Sequence, residues 1–474
     1  MNHPEFYRGK EVVVLGLARS GVAVAKLFHE YGAAVTVNDK KDRTLCPEAD
    51  ELTALGISVL CGGHPETLIH AGVALVVKNP GIPYSIPPVR DAERLGIEIV
   101  TEVEVANYIC KAPIIGITGS NGKTTTTTWI GRILENAGLH PIIAGNIGRA
   151  LCEAAAEATG TNHMVVELSS FQLKGTVNFR PRIACLLNVC ETHLDYHGTM
   201  EDYIASKAKL FASQRQDDVA VLNWDDPECR RIAGTVKAQL VPFSMRERLE
   251  RGVYLEPPLQ SPDEPLTDAH HIVHKDAAGR ETVVLPAKQL GIPGKHNAEN
   301  AMAAVAVALA AGADLDSIVQ ALRTFRGVEH RLEFVLERDG IVYYNNSKAT
   351  NSLATMKALE SFGQPIVLIA GGQDRKSEFQ DLLPYLERNV KAVVSLGETR
   401  HKFAGLAEKA GISAVKTVDT GNSAAETLDE AVRAARAFAE SGDVVLLSPA
   451  CASWDMFESF EIRGRMFKES VHKL

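Results

Sequence analysis

Residues 113–128 read Pro-Ile-Ile-Gly-Ile-Thr-Gly-Ser-Asn-Gly-Lys-Thr-Thr-Thr-Thr-Thr, and this stretch decides how the chain is read. The apolar run Ile114 to Ile117 predicts a strand, the Gly/Ser/Asn segment a loop, and the residues from Lys123 onward a helix. A loop of that kind at a helix N-terminus presents backbone N–H groups and the positive end of the helix dipole to a polyphosphate. Lys123 can reach the terminal phosphate oxygens and Thr124 can ligate Mg²⁺. The usual G-x-x-x-x-G-K-[ST] spacing would put glycine at 117, where Ile117 stands, so this is a variant P-loop of the form T-G-S-N-G-K-T. The expected ligand is ATP or GTP, held by Gly119, Ser120, Asn121, Gly122, Lys123, Thr124 and Thr125.

At 474 residues the chain is long enough for about three domains. Hydrophobic residues make up 45% and charged residues 23%, as in ordinary globular proteins. The net charge of -9 and the lack of a long basic run argue against a nucleic-acid partner, since phosphate backbones are met by clustered Lys and Arg. The eight cysteines are scattered, with no C-x-x-C pair, and read as reduced thiols of a cytosolic protein. No apolar secretion signal and no 18-residue apolar run occurs, so neither secretion nor membrane insertion is expected.

Working outward from the P-loop, the fold class is α/β in three blocks, 1–101, 102–327 and 328–474. The first reads as a Rossmann-like unit: a strand Glu11 to Leu17, a helix to about Tyr31, and a second strand ending at Asn38-Asp39. The middle glycine of the dinucleotide fingerprint is Ala18, which favours a UDP-type or other nucleotide over NAD. Ala74 to Val77 predicts a further strand, ending in the turn Lys78-Asn79-Pro80-Gly81. The central block is a P-loop ATPase-type domain on a parallel sheet, with strands at Met164 to Glu167, Ile183 to Val189 and Val219 to Asn223. Short alternating runs over 251–288 suggest a small antiparallel insertion, and Ala-rich helices at 297–312 and 315–325 close the block. The third block is again Rossmann-like, with a hairpin over Phe334 to Tyr344 and strands at Ile366 to Ala370, Val393 to Leu396 and Val444 to Leu447.

Glu167, at the end of an apolar run, suits a Walker-B-like Mg²⁺ ligand, because Mg²⁺ prefers hard oxygen donors. On pattern alone His193 is a helix-start or buried polar residue, and Lys207 a solvated helix lysine. Trp454 reads as core packing at the start of the last helix, or as a wall of the substrate pocket.

Together the motifs resemble the Mur ligases, the ATP-dependent amide-forming enzymes of peptidoglycan precursor synthesis. The residues carrying the resemblance are Thr118 to Thr124, Gly145-Asn-Ile-Gly148, Glu167-Leu-Ser-Ser-Phe-Gln-Leu173 and Leu187-Asn-Val-Cys-Glu-Thr-His193. They continue through His296-Asn297, His330-Arg331, Ser347-Lys-Ala-Thr-Asn351 and Ser448-Pro-Ala-Cys-Ala-Ser-Trp-Asp455, the last two resembling the D-glutamate-adding branch. The resemblance implies that ATP phosphorylates the carboxylate of UDP-N-acetylmuramoyl-L-alanine and that D-glutamate attacks the acyl phosphate.

It implies two Mg²⁺ sites, with Thr124, Glu167, His193 and a carbamylated Lys207 as ligands, and Lys123, His193 and Lys207 as catalytic residues. Asn297, Arg331 and Asn346 would complete the ATP site. Asn346 stands where the family carries an acidic residue for the ribose, and an amide can still bond a hydroxyl. Arg19, Ser20, Asp39, Lys40, Lys41 and Asn79 would hold the uridine end of the substrate, and Asn146, Ser169 and Ser170 its muramoyl-alanine end, though strand-end capping is an alternative role for the two serines. Lys348, Thr350, Ser453 and Phe460 would grip D-glutamate, with Lys376 chosen over Arg375 as the further basic contact. The expectation is a cytoplasmic monomer that works on small molecules, without nucleic acid or membrane. Two other readings stay open: another amide ligase of folylpolyglutamate type, and a non-catalytic nucleotide-binding regulator.

Overall fold

A computed structural model describes residues 1–474 except 263 and 420–422. The chain divides into two compact units, Met1–Ala287 with Glu299–Leu322, and Lys288–Ala298 with Arg323–Leu474. The first unit holds two sheets and the second holds one.

The first sheet has β1 (Glu11–Leu15), β2 (Ala34–Asp39), β3 (Ser58–Cys61), β4 (Val73–Lys78) and β5 (Ile99–Val100), in the order β3-β2-β1-β4-β5. All its pairings are parallel. Val12, Val13, Val14 and Leu15 are buried on both faces, which is why β1 is an unbroken apolar run rather than an alternating one. Chain order reverses beside β1, and the C-terminal ends of β1 and β4 lie side by side, with Leu15 opposite Lys78. That crevice is where ligands of open α/β sheets settle.

The second sheet comprises β6 (Ile114–Thr118), β7 (Pro141–Gly145), β8 (His163–Glu167), β9 (Ile183–Leu186), β10 (Val219–Asn223), β11 (Gln239–Ser244), β12 (Gly252–Glu256), β13 (His271–Lys275) and β14 (Glu281–Pro286). Its order is β14-β13-β12-β11-β10-β9-β6-β8-β7. β6 therefore lies between β8 and β9, and the loop after it is flanked by the chain leaving Glu167 and the chain leaving Leu186. The runs over 251–288 do form strands, antiparallel from β12 to β14, yet they are no separate insertion. β12 pairs in parallel with β11 and carries the central sheet onward.

The third sheet contains β15 (Glu333–Arg338), β16 (Ile341–Asn345), β17 (Ile366–Gly371), β18 (Val390–Leu396), β19 (Ala414–Thr417) and β20 (Val444–Leu447), in the order β15-β16-β20-β17-β18-β19. β15 and β16 form the expected hairpin, and the remaining pairings are parallel. The segments following β16, β20 and β17 consequently leave one edge of this sheet as neighbours. All eight cysteines are free thiols, five of them buried. No helix of the described residues is long and apolar enough to cross a membrane.

Candidate active site

The P-loop connects β6 to a helix, Lys123–Asn136, whose first-turn N–H groups have no intrahelical acceptor. Gly122 caps that helix at φ +82° and Gly119 lies at φ +159°. A Cβ on Gly122 would overlap Oδ1 of Asn300, so both the backbone angle and the space demand glycine. The loop is braced from the β9 side: Ser120 N–H donates to the Asn188 carbonyl (3.0 Å) and Asn121 N–H to Asn188 Oδ1 (2.8 Å). The Ser120 hydroxyl meets Tyr203 Oη at 2.8 Å and accepts from Cys190 N–H at 2.8 Å. Lys123 Nζ curls back onto the carbonyls of Gly119 and Ser120, each at 2.9 Å, bonds that an arriving phosphate would displace. Replacing Gly122 with alanine is expected to lower ADP affinity about tenfold and to depress the melting temperature, because a strained left-handed alanine disturbs the N–H cradle. Calorimetric titration with ADP and a thermal melt check both.

Glu167 ends β8 and is 1% exposed. Its Oε1 accepts from Asn146 Nδ2 at 2.7 Å, while Oε2 is buried without a hydrogen-bond partner among the described residues. A carboxylate oxygen left unpaired in the interior is expensive unless something cationic meets it. His193 heads a one-turn helix, Leu194–His197, in the left-handed region at φ 58°. Burial, with the Lys123 ammonium beyond it, holds its imidazole below the usual histidine range, so the neutral, ligating form prevails at neutral pH.

Lys207 is not the solvated lysine that its pattern suggests. It is 1% exposed, its Nζ donates to the Gly119 carbonyl at 2.8 Å, and it stands over the Tyr203 ring at 4.7 Å. Burial, and then Lys123, pull its pKa well below that of an ordinary lysine. Thr124 is buried beside these groups at the start of the helix. Among the described residues no three His, Cys, Asp or Glu side chains converge to hold a metal. Mg²⁺ keeps waters and substrate phosphates and takes only one or two protein oxygens. The unpartnered Glu167 Oε2 and the Thr124 hydroxyl fit it.

At the crevice of the first sheet, Asp39 Oδ2 accepts from Leu17 N–H (2.8 Å) and its Oδ1 from Lys41 N–H (2.9 Å), fixing the loop that bears the exposed Lys40 and Lys41. Asn79 N–H donates to the Leu15 carbonyl at 2.9 Å, across the strand ends. Arg19 Nη1 reaches the Gly148 carbonyl at 2.5 Å, and Ser20 bonds Glu102. Asn146 donates to Glu167, as above. Ser169 caps the helix Ser170–Lys174 in a capping box with Gln172. Ser170 is buried, its hydroxyl 3.0 Å from His197 Nε2.

In the second unit, Lys348 and Thr350 follow β16, and Ser453 follows β20. Lys348 Nζ stands 4.8 Å over the Phe460 ring, while Lys376, at φ 64°, is exposed beyond β17. Arg331 lies in the turn before β15 and Asn297 bonds the Pro293 carbonyl at 2.5 Å. Asn346 is buried, its Nδ2 donating to Ser448 Oγ (3.0 Å) and its Oδ1 accepting from Leu332 N–H (3.2 Å), so its amide is already engaged at both ends. Trp454 is 65% exposed with Arg375 stacked 5.0 Å above it; it is not core packing, and the last helix begins later, at Phe460.

Sequence reasoning missed the supports. Asn188, Asn300 and Tyr203 brace the P-loop, and Arg463 braces the third sheet. The Arg463 guanidinium is wholly buried and donates to Ser347 Oγ (3.0 Å) and to the carbonyls of Ser347 (2.8 Å) and Cys451 (3.1 Å). It thereby ties the segment after β16 to the segment after β20. Burial alone brings its pKa down to about 10. His193, His330, Lys376 and Ala450 are all non-glycine residues at positive φ, and each lies in a candidate segment, where such strain gathers.

Three family models match the chain in order: the Mur ligase MurD-like N-terminal domain over 10–101, the Mur ligase middle domain over 117–308 and the Mur ligase glutamate ligase domain over 330–451. The chain belongs to the Mur ligase family. It is 50% identical over 475 residues, covering 100% of both chains, to the UDP-N-acetylmuramoylalanine–D-glutamate ligase of Geobacillus sp. (strain WCH70). It is 47% identical to the enzyme of that name from Bacillus mycoides, over 99% of this chain and 98% of the other. Among solved structures, UDP-N-acetylmuramate-alanine ligase of Thermotoga maritima matches with a TM-score of 0.58 at 20% identity, over 98% of this chain and 99% of the other. MurF of Acinetobacter baumannii matches with 0.59 at 19% identity, over 97% and 93%. At those identities the structures speak for the fold alone. Members of the Mur ligase family are ATP-dependent amide ligases that use Mg²⁺.

Proposed function

We propose that this chain is the ATP-dependent ligase that adds D-glutamate to UDP-N-acetylmuramoyl-L-alanine, releasing ADP and phosphate, in peptidoglycan precursor synthesis. The observation that carries the proposal is the end-to-end identity of 50% with an enzyme of that name. The buried Thr124, Glu167 and Lys207, with the half-buried Lys123 and the exposed His193 beside them in the chain's candidate motifs, support it from the chemistry.

In this reading the N–H groups from Gly119 to Thr125 and the Lys123 ammonium hold the ATP phosphates and neutralise the charge that spreads over the γ-phosphoryl oxygens in flight. Thr124, Glu167, His193 and a carbamylated Lys207 would hold the Mg²⁺ ions, which would supply charge neutralisation at the phosphoryl and acyl oxygens. Asn297, Arg331 and Asn346 serve the nucleotide. Asn346 would have to exchange one of its internal bonds to reach a ribose hydroxyl. Arg19, Ser20, Asp39, Lys40, Lys41 and Asn79 hold the uridine diphosphate end, and Asn146, Ser169 and Ser170 orient the muramoyl-alanine carboxylate. Lys348, Thr350, Lys376 and Ser453 meet the two carboxylates of D-glutamate with a charge and donors, and Phe460 packs its carbon chain. The free amine attacks the acyl carbon, the C–O bond to phosphate breaks, and the proton shed by the nitrogen goes to the departing phosphate or to water, so orientation carries more of the rate than acid–base groups. The protein is cytoplasmic and acts as a monomer, with the three domains 1–101, 102–327 and 328–474 supplying the three substrate sites.

Phosphate release from ATP and Mg²⁺, with UDP-N-acetylmuramoyl-L-alanine and D-glutamate, L-glutamate, L-alanine or meso-diaminopimelate offered separately, tests the proposal. Release is expected only when the UDP-sugar and D-glutamate are both present. Release with another amino acid, or ATP binding without release under any pairing, overturns it.

A further inference from the structure

The residue that the proposed mechanism leaves unused, and that is the hardest to explain as packing, is Lys78. It ends β4 beside Leu15 and is 1% exposed, yet it has no carboxylate partner among the described residues. Its Nζ donates to three oxygens, the carbonyls of Asn79 and Pro80 and the hydroxyl of Tyr196, each at 3.2 Å, and stands 4.5 Å over the Tyr84 ring. Burial, and then the Lys174 ammonium, lower its pKa to about 7, so retaining a cation here costs stability that an apolar residue would not.

Tyr196 is the other half of the contact. Its hydroxyl donates to the Pro80 carbonyl at 2.9 Å, and it belongs to the one-turn helix that His193 heads. Its ring meets Phe171 edge-on at 4.4 Å, and Phe171 in turn packs on His193 at 5.0 Å and stacks on His197 at 5.4 Å. Below this, His197 Nδ1 lies 2.6 Å from Asp202, which also takes Lys174 at 2.8 Å. A helix of a single turn cannot hold itself in place. This one is held from outside, on one side by Ser170 and Asp202, on the other by the turn after β4.

We propose that Lys78 and Tyr196 form a positioning pair that ties the substrate turn Asn79–Ile82 to the metal-bearing turn at His193, so that filling one site prepares the other. The inference rests on the proposed roles of Asn79 and His193. The lysine cross-links two carbonyls of a Pro-containing turn, which has few N–H groups of its own, and hands the tyrosine hydroxyl to the same turn. Any shift of Asn79 on the substrate is passed to the backbone that sets His193. By linkage, Mg²⁺ with nucleotide must then tighten the UDP-sugar by the same factor as the UDP-sugar tightens them.

The test is calorimetric titration of UDP-N-acetylmuramoyl-L-alanine onto the full chain, with and without Mg²⁺ and a non-hydrolysable ATP analogue. In the native protein the pair of ligands should tighten the UDP-sugar about tenfold. In Tyr196→Phe, which keeps the ring against Phe171, the gain should fall below about threefold, with affinity for the analogue alone unchanged. Lys78→Met should do the same, Lys78→Arg should recover part of it, and the double variant Lys78→Met with Tyr196→Phe should lose no more than Lys78→Met. An undiminished gain in Tyr196→Phe, losses that multiply in the double variant, or no gain in the native protein overturns the inference. A native protein that does not bind the UDP-sugar at all overturns the functional reading beneath it. Tyr196→Phe alone decides the matter if Lys78→Met does not fold.

Discussion

Lys207→Met is expected to lose about a thousandfold in turnover, as when a single group that stabilises developing charge is removed, while melting within a few degrees of the native protein. The side chain is buried among Tyr203, Thr118 and the Gly119 carbonyl, and methionine nearly matches its volume. Of the two bonds lost, the one to Gly119 O falls on a carbonyl that Lys123 also serves, and the one to Thr118 Oγ1 is long, at 3.5 Å. The chemical reason for the loss is that methionine has no amine to form a carbamate, which is in effect a carboxylate and a ligand for Mg²⁺.

The local electrostatics favour that conversion. With its pKa far below the usual value, Lys207 is unprotonated at a pH where an exposed lysine is not, and the free amine is the form that adds to CO₂. The nitrogen lone pair forms the N–C bond, the amine proton leaves to water, and the product carries the negative charge Mg²⁺ wants. The sign follows from the direction of the shift. Lowering the pH through the depressed pKa protonates the amine and reverses the carbamate, so activity should fall on the acid side. Native enzyme stripped of CO₂ should lose activity and regain it with bicarbonate, its intact mass rising by one CO₂, and Lys207→Met should respond to neither. Equal turnover in stripped and supplied enzyme would make Lys207 a structural amine.

Lys207 also marks where sequence is legible and where it is not. The P-loop could be read because its parts are local: apolar strand, glycine turn, lysine and hydroxyl all fall within one stretch of chain. Glu167 could be read because a carboxylate at the end of a buried strand has few other reasons to be there. The burial of Lys207 is a tertiary fact, yet one signal was available. Tyr203, Lys207 and Leu210 recur at helical spacing within Met200–Ala212 and are all buried, so Lys207 lies on the apolar stripe. Asn188 and Asn300 left no such trace, because they meet the P-loop only through the closing of the sheet. β12 to β14 were legible as strands but not as an extension of the central sheet, since the parallel pairing of Phe243 with Val253 and of Ser244 with Tyr254 leaves no mark in the apolar pattern. β19, four residues of mixed burial, carried too little apolar pattern to be seen. Trp454 misled because a large aromatic is read as core; the guanidinium of Arg375 covers one face and leaves the rest exposed.

Glu167→Gln carries the second large effect, and its two readouts should move in opposite directions. Turnover should drop about a hundred- to a thousandfold and the Mg²⁺ requirement should rise, because a neutral amide is a poor ligand for a hard dication. The fold should not suffer. Oε1 can still accept from Asn146, so the bond that links β8 to the segment after β7 survives. What changes is the other oxygen, buried with no hydrogen-bond partner among the described residues. A carboxylate oxygen buried without a hydrogen-bond donor costs more than a neutral amide oxygen in the same place. Without nucleotide or Mg²⁺ the variant should therefore melt at the native temperature or above it. Adding Mg²⁺ with a non-hydrolysable ATP analogue should raise the melting temperature of the native protein more than that of the variant, since only the native carboxylate gains its missing partner. The stability forgone at Glu167 in the empty protein is then a requirement of its chemistry. A Glu167→Gln protein that turns over normally, or that melts well below the native protein without ligands, would show instead that this carboxylate serves the fold.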